Sequence, residues 1–196
     1  HIGRILVDPR DCNIVYVAAS GPLWTSGGER GLYKTSDGGE SWQLALEIDE
    51  RTGVTDITFA PDNPDTIYAA AYQRQRKIWA LIDGGRGSGI HKSTDGGATW
   101  RRIKTGLPEG DMGKIGLAVT PAAPHVVYAT IEANEKEKGF YRSLNRGESW
   151  EKRADYISGG TGPHYYQEII ASPHNADTVY QVDVFLHVTR DGGKTF

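Results

Sequence analysis

The chain of 196 residues holds a single cysteine and a single methionine. A lone Cys12 can build neither an intrachain disulfide framework nor a cysteine metal site, and it reads as a turn-flanking residue. No stretch approaches the roughly 18 apolar residues of a membrane span, and no positively charged start leads into an apolar run, so no signal peptide is read here. Strong charge imbalance is also missing. A net charge of −3 excludes a strongly basic nucleic-acid binder. The histidines show no metal-ligand spacing such as His-x-x-x-His, and no metal or cofactor is expected. Helical periodicity is absent throughout. Glycine, in contrast, is abundant at 25 residues, as turn-rich β-structure requires.

One eight-residue pattern organises the chain. It occurs at Thr35–Trp42, Ser93–Trp100, Ser143–Trp150 and Thr189–Phe196. Each copy reads Ser/Thr-x-Asp/Asn-x-Gly-x-Ser/Thr-aromatic. Asp37, Asp95, Asn145 and Asp191 can bond backbone two residues on and close a tight turn. Gly39, Gly97, Gly147 and Gly193 supply a positive φ without a Cβ penalty. Trp42, Trp100, Trp150 and Phe196 then leave the turn on the next strand, where a large ring can be buried. The acidic residues of these turns are read as structural, not catalytic.

A second repeat runs in step with the first: an alternating apolar strand, a proline turn, then a strand carrying tyrosine. Its copies end at Tyr16, Tyr68, Tyr128 and Tyr180. Each unit therefore holds strand A before the proline, B with the tyrosine, C entering the turn and D leaving it. Four-stranded antiparallel units at roughly 50-residue spacing are propeller blades. The reading is an all-β open arc of about four blades, at about 1–49, 50–107, 108–160 and 161–196. The last blade lacks its outer strand. The start at His1 and the end inside a motif lead to the expectation of a fragment of a larger ring, with an apolar edge that further blades would cover.

If strands A to D run outward, the A–B and C–D turns share one face, while the B–C and D–A loops share the other. Nearly all the length variation falls in the latter, which nominates that face as the working surface. Its B–C loops span 20–30, 72–88 and 132–138. Candidate ligand contacts are Trp24, Arg74, Arg76, Trp79, His164, Tyr165 and Tyr166; exposed aromatics with a few charges suit sugar stacking or peptide capture. Trp24 and Trp79 can equally be caps over the blade core. Glycoside hydrolysis needs two carboxylates roughly 5 to 9.5 Å apart; of Asp49, Glu50, Asp83, Glu109, Asp111 and Glu168 on this face, Asp83, Asp111 and Glu168 are the leading candidates, and a non-catalytic structural propeller is the remaining alternative. Glu132, Glu135 and Glu137 alternate with lysines and read as a solvated loop tip.

The repeated turns resemble the Asp-box, or bacterial neuraminidase repeat, of β-propeller proteins. With the proline-turn and Tyr-strand signature, the whole chain is similar to sortilin-type propeller repeats of large secreted bacterial proteins. That resemblance implies an extracellular or periplasmic location and a protein, peptide or polysaccharide ligand, with the remaining blades as further partners. Xyloglucanase-like relatives cleave glucans between two propellers, whereas photosystem assembly factors with the same turns are non-catalytic. Sialidases of this type open an arginine triad with Arg-Ile-Pro. Here Arg4-Ile5-Leu6 has leucine at the proline position, which disfavours that activity.

Overall fold

The computed structural model describes residues 1–156, 165 and 167–196. The described residues form four antiparallel sheets and no helix. The first sheet runs β1 (Ile2–Val7), β2 (Val15–Ala19), β3 (Gly31–Thr35) and β4 (Gln43–Leu46) in spatial order. The second contains β5 (Thr52–Ala60), β6 (Asn63–Arg76), β8 (Gly89–Ser93) and β9 (Arg101–Arg102), with a short β7 (Leu81–Asp83) paired to the far end of β6. The third runs β10 (Ile115–Val119), β11 (Val127–Ile131), β12 (Gly139–Ser143) and β13 (Glu151–Ala154). The fourth stops after β14 (Glu168–Ala171), β15 (Val179–Val182) and β16 (Leu186–Thr189). Strands β1, β5, β10 and β14 pack in succession, so the first strand of each sheet lies toward the common axis. This is an open propeller arc.

Period-two alternation sends successive side chains to opposite sheet faces, and each face meets a neighbouring sheet. On β6, Ile67 and Ala69 pack with Tyr16, Leu32 and Val54, while Tyr68 and Ala70 pack with Ile90, Ile115 and Val127. A third cluster joins Tyr128 and Phe140 to Ile169 and Val179. The core is therefore three joints between sheets.

Among the described residues, the outward faces of the first and fourth sheets have no such neighbour. Ile2, Ile5, Val7 and Leu44 are exposed on one, and Ile170, Tyr180 and Leu186 on the other. The expected apolar edge is present at both ends.

The four repeated turns share one hydrogen-bond pattern. In the first, Gly39 N donates to Thr35 Oγ1 at 3.0 Å, and Ser41 N donates to Asp37 Oδ1 at 3.0 Å. The Thr35 and Ser41 hydroxyls also donate to the Asp37 carboxylate. Ser93, Asp95 and Thr99 repeat this, as do Thr189, Asp191 and Thr195. Asn145 differs: its amide nitrogen donates to Ser149 Oγ at 2.8 Å, because an amide carries only one acceptor oxygen. Arg146 holds a φ of 58° in a position where the other three turns have glycine.

Burial of the motif aromatics is not uniform. Trp150 is 6% exposed and Trp42 is 44% exposed. The indole of each turn packs toward the preceding sheet; Trp100 packs on the first-joint cluster and Trp150 on the second, whereas no described sheet precedes Trp42. Phe196 instead stacks on Tyr156 at 4.6 Å and meets Phe140 edge-on at 5.2 Å.

The segment 72–88 is less of a loop than its composition suggests. β6 continues to Arg76 and pairs with β7 through Arg74–Asp83, Gln75–Ile82 and Arg76–Leu81. The polar run Gln73–Lys77 and the short strand Leu81–Asp83 thus form a hairpin at the far end of β6.

Candidate functional site

Two adjoining cavities open around the axial ends of the inner strands, sharing Gly3, Thr55, Lys114 and Glu168. The larger, about 430 Å³, is further lined by Pro22, Leu23, Tyr72, Arg74 and Tyr165. The smaller, about 200 Å³, reaches Arg4, Asp56 and Gln167. The larger cavity thus draws on the B–C connections of the first two sheets and on the segments leading into β10 and β14.

Local structure explains how these side chains are held. Arg30 is buried and donates to the carbonyls of Ser20, Pro22, Thr25 and Gly27. One guanidinium fork therefore fixes the loop that carries Pro22 and Leu23. Leu23 O accepts from Arg76 N at 2.8 Å, which ties that loop to the β6 extension. Tyr72 and Arg74 are two residues apart on β6 and so share a face.

Lys114 Nζ lies 3.3 Å from Glu168 Oε1 and 3.3 Å from Tyr165 O. Burial pushes the Glu168 carboxyl up, but the Gln167 N–H and the Lys114 charge outweigh it and hold it below the usual glutamate value. Burial and the Arg76 charge lower the basicity of Arg74.

Deeper at the axis, Asp56 binds three elements together. Its Oδ1 accepts from Arg4 Nε at 3.0 Å and Ile57 N at 2.9 Å, and its Oδ2 accepts from Leu117 N at 2.9 Å. Burial pushes this carboxyl above the ordinary aspartate value, with Arg4 and the two N–H groups acting in the opposite direction. The signal in the sequence was a charged residue one position before the central apolar residue of strand A.

The three candidate carboxylates do not all meet at one site. Glu168 stands at the axial cavity, whereas Asp83 and Asp111 line another, of about 270 Å³, together with Glu132. Glu132 is no solvated loop tip: it is half-buried and its Oε2 accepts from Lys114 N at 3.1 Å. Burial, then the Asp83 charge, pushes the Glu132 carboxyl up to about 7. A charge alternation in sequence cannot report that Ile131 beside it is wholly buried and draws it inward.

Of the aromatic candidates, Tyr165 lines the axial cavity and is 54% exposed. Trp24 is 56% exposed and Trp79 is 83% exposed at the tip of the β6–β7 hairpin; neither is among the residues lining that cavity. The exposed Trp79 therefore caps no core. Arg76 extends β6 beyond Arg74 and is also outside the lining. His164 and Tyr166 lie outside the described residues. Among the described residues, no group of three or more His, Cys, Asp or Glu side chains is placed to hold a metal, and no helix is long and apolar enough to cross a membrane.

These features define a β-propeller segment with a cavity of mixed polar and apolar lining at its axial mouth. No protein-family model matches the sequence, and no curated protein matches it. Solved structures do. The GH74 xyloglucanase from Xanthomonas campestris superposes with a TM-score of 0.71 at 19% identity, over 98% of this chain and 28% of that one. The Niastella koreensis GH74 enzyme gives a TM-score of 0.69 at 19% identity, over 97% of this chain and 29% of that one. YCF48 bound to a D1 peptide gives 0.54 at 16% identity, over 99% of this chain and 51% of that one. At such identities the likeness establishes the propeller fold alone. The chain spans little more than a quarter of either GH74 enzyme.

Proposed function

We propose that this chain is the ligand-capturing part of an Asp-box propeller of the sortilin-like kind, acting through the face of its B–C and D–A loops. The observation that carries this reading is the axial cavity of about 430 Å³, where Tyr72, Arg74, Lys114, Tyr165 and Glu168 meet. Rings beside a few placed charges are what a binding pocket for a polar ligand requires. The four units at about 1–49, 50–107, 108–160 and 161–196 act as blades, and the apolar faces at both ends take further blades. The place of action is extracellular or periplasmic. A structure of similar fold, YCF48, is bound to a peptide, which supports the capture reading.

The test is binding of a panel of peptides and glycans to the full-length protein and to Tyr165→Ala and Trp79→Ala variants. Both rings are exposed, so thermal stability stays within the small range of ordinary surface changes, about 0.5 kcal/mol. Loss of binding in either variant supports the face as the working surface. Unchanged binding in both removes it.

A second reading is glycoside hydrolysis, favoured by one specific arrangement. Asp83, Asp111 and Glu132 share a cavity, and Glu132 keeps its proton to about 7. A protonated carboxyl beside an acidic partner is the division of labour that such hydrolysis uses. Reducing-sugar release from a polysaccharide panel by the full-length protein, lost in Glu132→Gln, supports this reading. Release that persists in Glu132→Gln excludes Glu132 as its acid.

A further inference from the structure

The three joints between sheets follow one plan, and each has two unlike halves. In the first, Leu6, Tyr16 and Leu32 of the leading sheet meet Ile57, Phe59 and Trp100 of the following one. The Tyr16 and Phe59 rings stand edge to face at 5.8 Å. In the second, Tyr68 and Ile90 meet Leu117, Val119 and Trp150. In the third, Tyr128 and Phe140 meet Ile169, and Phe140 reaches Phe196. The leading half thus uses the repeat tyrosine and the apolar residue three places before the first Ser or Thr of the turn motif. The following half uses the residues two and four places before the strand A proline, with the aromatic of the turn motif.

Among the described residues, each end of the arc carries one of these halves without the other. On the fourth sheet, Tyr180 and Leu186 hold the leading positions, and Ile170 stands where Leu6 does. On the first sheet, Ile5, Val7 and Trp42 hold the following positions. All six are exposed, and contiguous exposed apolar side chains mark an interaction surface. The polar part of the joint is divided in the same way. Tyr16 Oη donates to Gly96 O and Tyr68 Oη to Arg146 O. Each acceptor directly follows the Asp or Asn of its turn, and on the first sheet that residue is Gly38. Lys34 and Lys92 add a second donor to those carbonyls, but Val188 stands at their position in the fourth sheet. Tyr180 is therefore the donor left to such a joint.

We propose that copies of this chain join head to tail, the fourth sheet of one seated on the first sheet of the next. Ile170, Tyr180 and Leu186 pack against Ile5, Val7 and Trp42, and Tyr180 Oη donates to Gly38 O. One chain carries both complementary halves, which selects a second copy as the occupant. The two faces differ, so the contact is heterologous and repeats until a ring closes or a filament grows. The assignment rests on the reading that both end faces take further blades, and it names those blades as a neighbouring copy's.

The test is sedimentation of the full-length protein over a range of concentrations, beside two variants. Leu186→Asp charges the fourth-sheet face and Ile5→Asp the first-sheet face. These side chains are 68% and 60% exposed, so each variant keeps its native melting temperature at the lowest concentration. The unaltered protein is expected to at least about double its mass as concentration rises. Each variant alone stays monomeric. An equimolar mixture of the two forms pairs and nothing larger, because each supplies the intact face that the other lacks. An unaltered protein that is monomeric throughout overturns the proposal and leaves the end faces to blades of its own chain. Association by either variant alone also overturns it, since a face is then pairing with itself, as does a mixture that stays monomeric. Binding of the peptide and glycan panel is measured on the same samples. Capture by a protein that stays monomeric sinks the joint alone, and association without capture sinks the capture reading alone.

Discussion

The Tyr16 hydroxyl donates to the carbonyl of Gly96 at 2.7 Å, joining the first sheet to the repeated turn of the second. Lys34 Nζ donates to the same carbonyl at 2.8 Å and lies 5.3 Å from the centre of the Tyr16 ring. The second joint repeats this arrangement: Tyr68 and Lys92 both donate to Arg146 O, at 2.9 and 2.8 Å. The third departs from it. Arg142 replaces the lysine and reaches Asp177, while the Tyr128 hydroxyl donates to Ala176 O. The two motifs found along the chain thus meet in space, tyrosine strand of one sheet to turn of the next.

Tyr68→Phe should therefore lower stability by about 0.5–1.5 kcal/mol, the net worth of a hydrogen bond. The carbonyl keeps Lys92 as a donor, so the cost belongs at the low end. Denaturant unfolding measures it. A loss of several kcal/mol would mean that the hydroxyl does more than close this joint.

Gly97→Ala and Gly39→Ala separate turn strain from interblade packing. Both glycines have a positive φ, 80° and 99°, so both changes carry the same kind of backbone penalty. A Cβ at Gly97 meets Tyr16 Cε1 at 3.1 Å, whereas at Gly39 the nearest atom is Trp42 Cζ2 at 3.7 Å. Gly97→Ala should cost about 1–3 kcal/mol more, as overpacking does. Equal losses in melting experiments would show that the tyrosine yields.

Acid sensitivity should reside in the turns. Hydroxyl and N–H donors from Thr99, then Ser93, hold the Asp95 carboxyl down at about 2. A lowered folded value gives stability that is present above the ordinary 3.8 and lost as pH falls toward about 2. Asp37 and Asp191 are held below the usual range for the same reason. Asp95→Asn should flatten part of the acid limb of a stability–pH curve. An unchanged limb argues that these bonds persist on protonation.

Glu132 has the opposite sign. Its raised folded value gives stability that is present below the ordinary 4.5 and lost as pH rises through about 7. Glu132→Gln should accordingly be more stable relative to wild type at pH above about 7 than at acidic pH. Melting temperatures across that range check it; a constant difference would place the carboxylate in water.

Asp56→Ala should cost about 1–3 kcal/mol or more, since it leaves the Leu117 N–H, buried within the arc, without its acceptor. The same contact was invisible in the sequence, because Arg4, Asp56 and Leu117 belong to three different repeats. Their meeting depends on how far each sheet is rotated about the axis. Glu132 shows the same limit from another direction: a loop of alternating charge is solvated only if the backbone beside it is, and here that backbone has just left the buried strand β11.

The sequence by itself determined the all-β class, the four turns, the tyrosine strands and the order of strands within each sheet. These follow from local chemistry: glycine at positive φ, a side-chain acceptor two residues into a turn, and period-two alternation. It also placed the length variation on one face. Tertiary structure alone decided which polar groups met there. Glu168, on β14, parted from Asp83, on β7, and Asp111, in the connection before β10, while Thr55, Tyr72 and Arg74 line one cavity because β5 and β6 are paired neighbours. Side-chain convergence across sheets depends on rotation and stagger between them, quantities that no local pattern encodes.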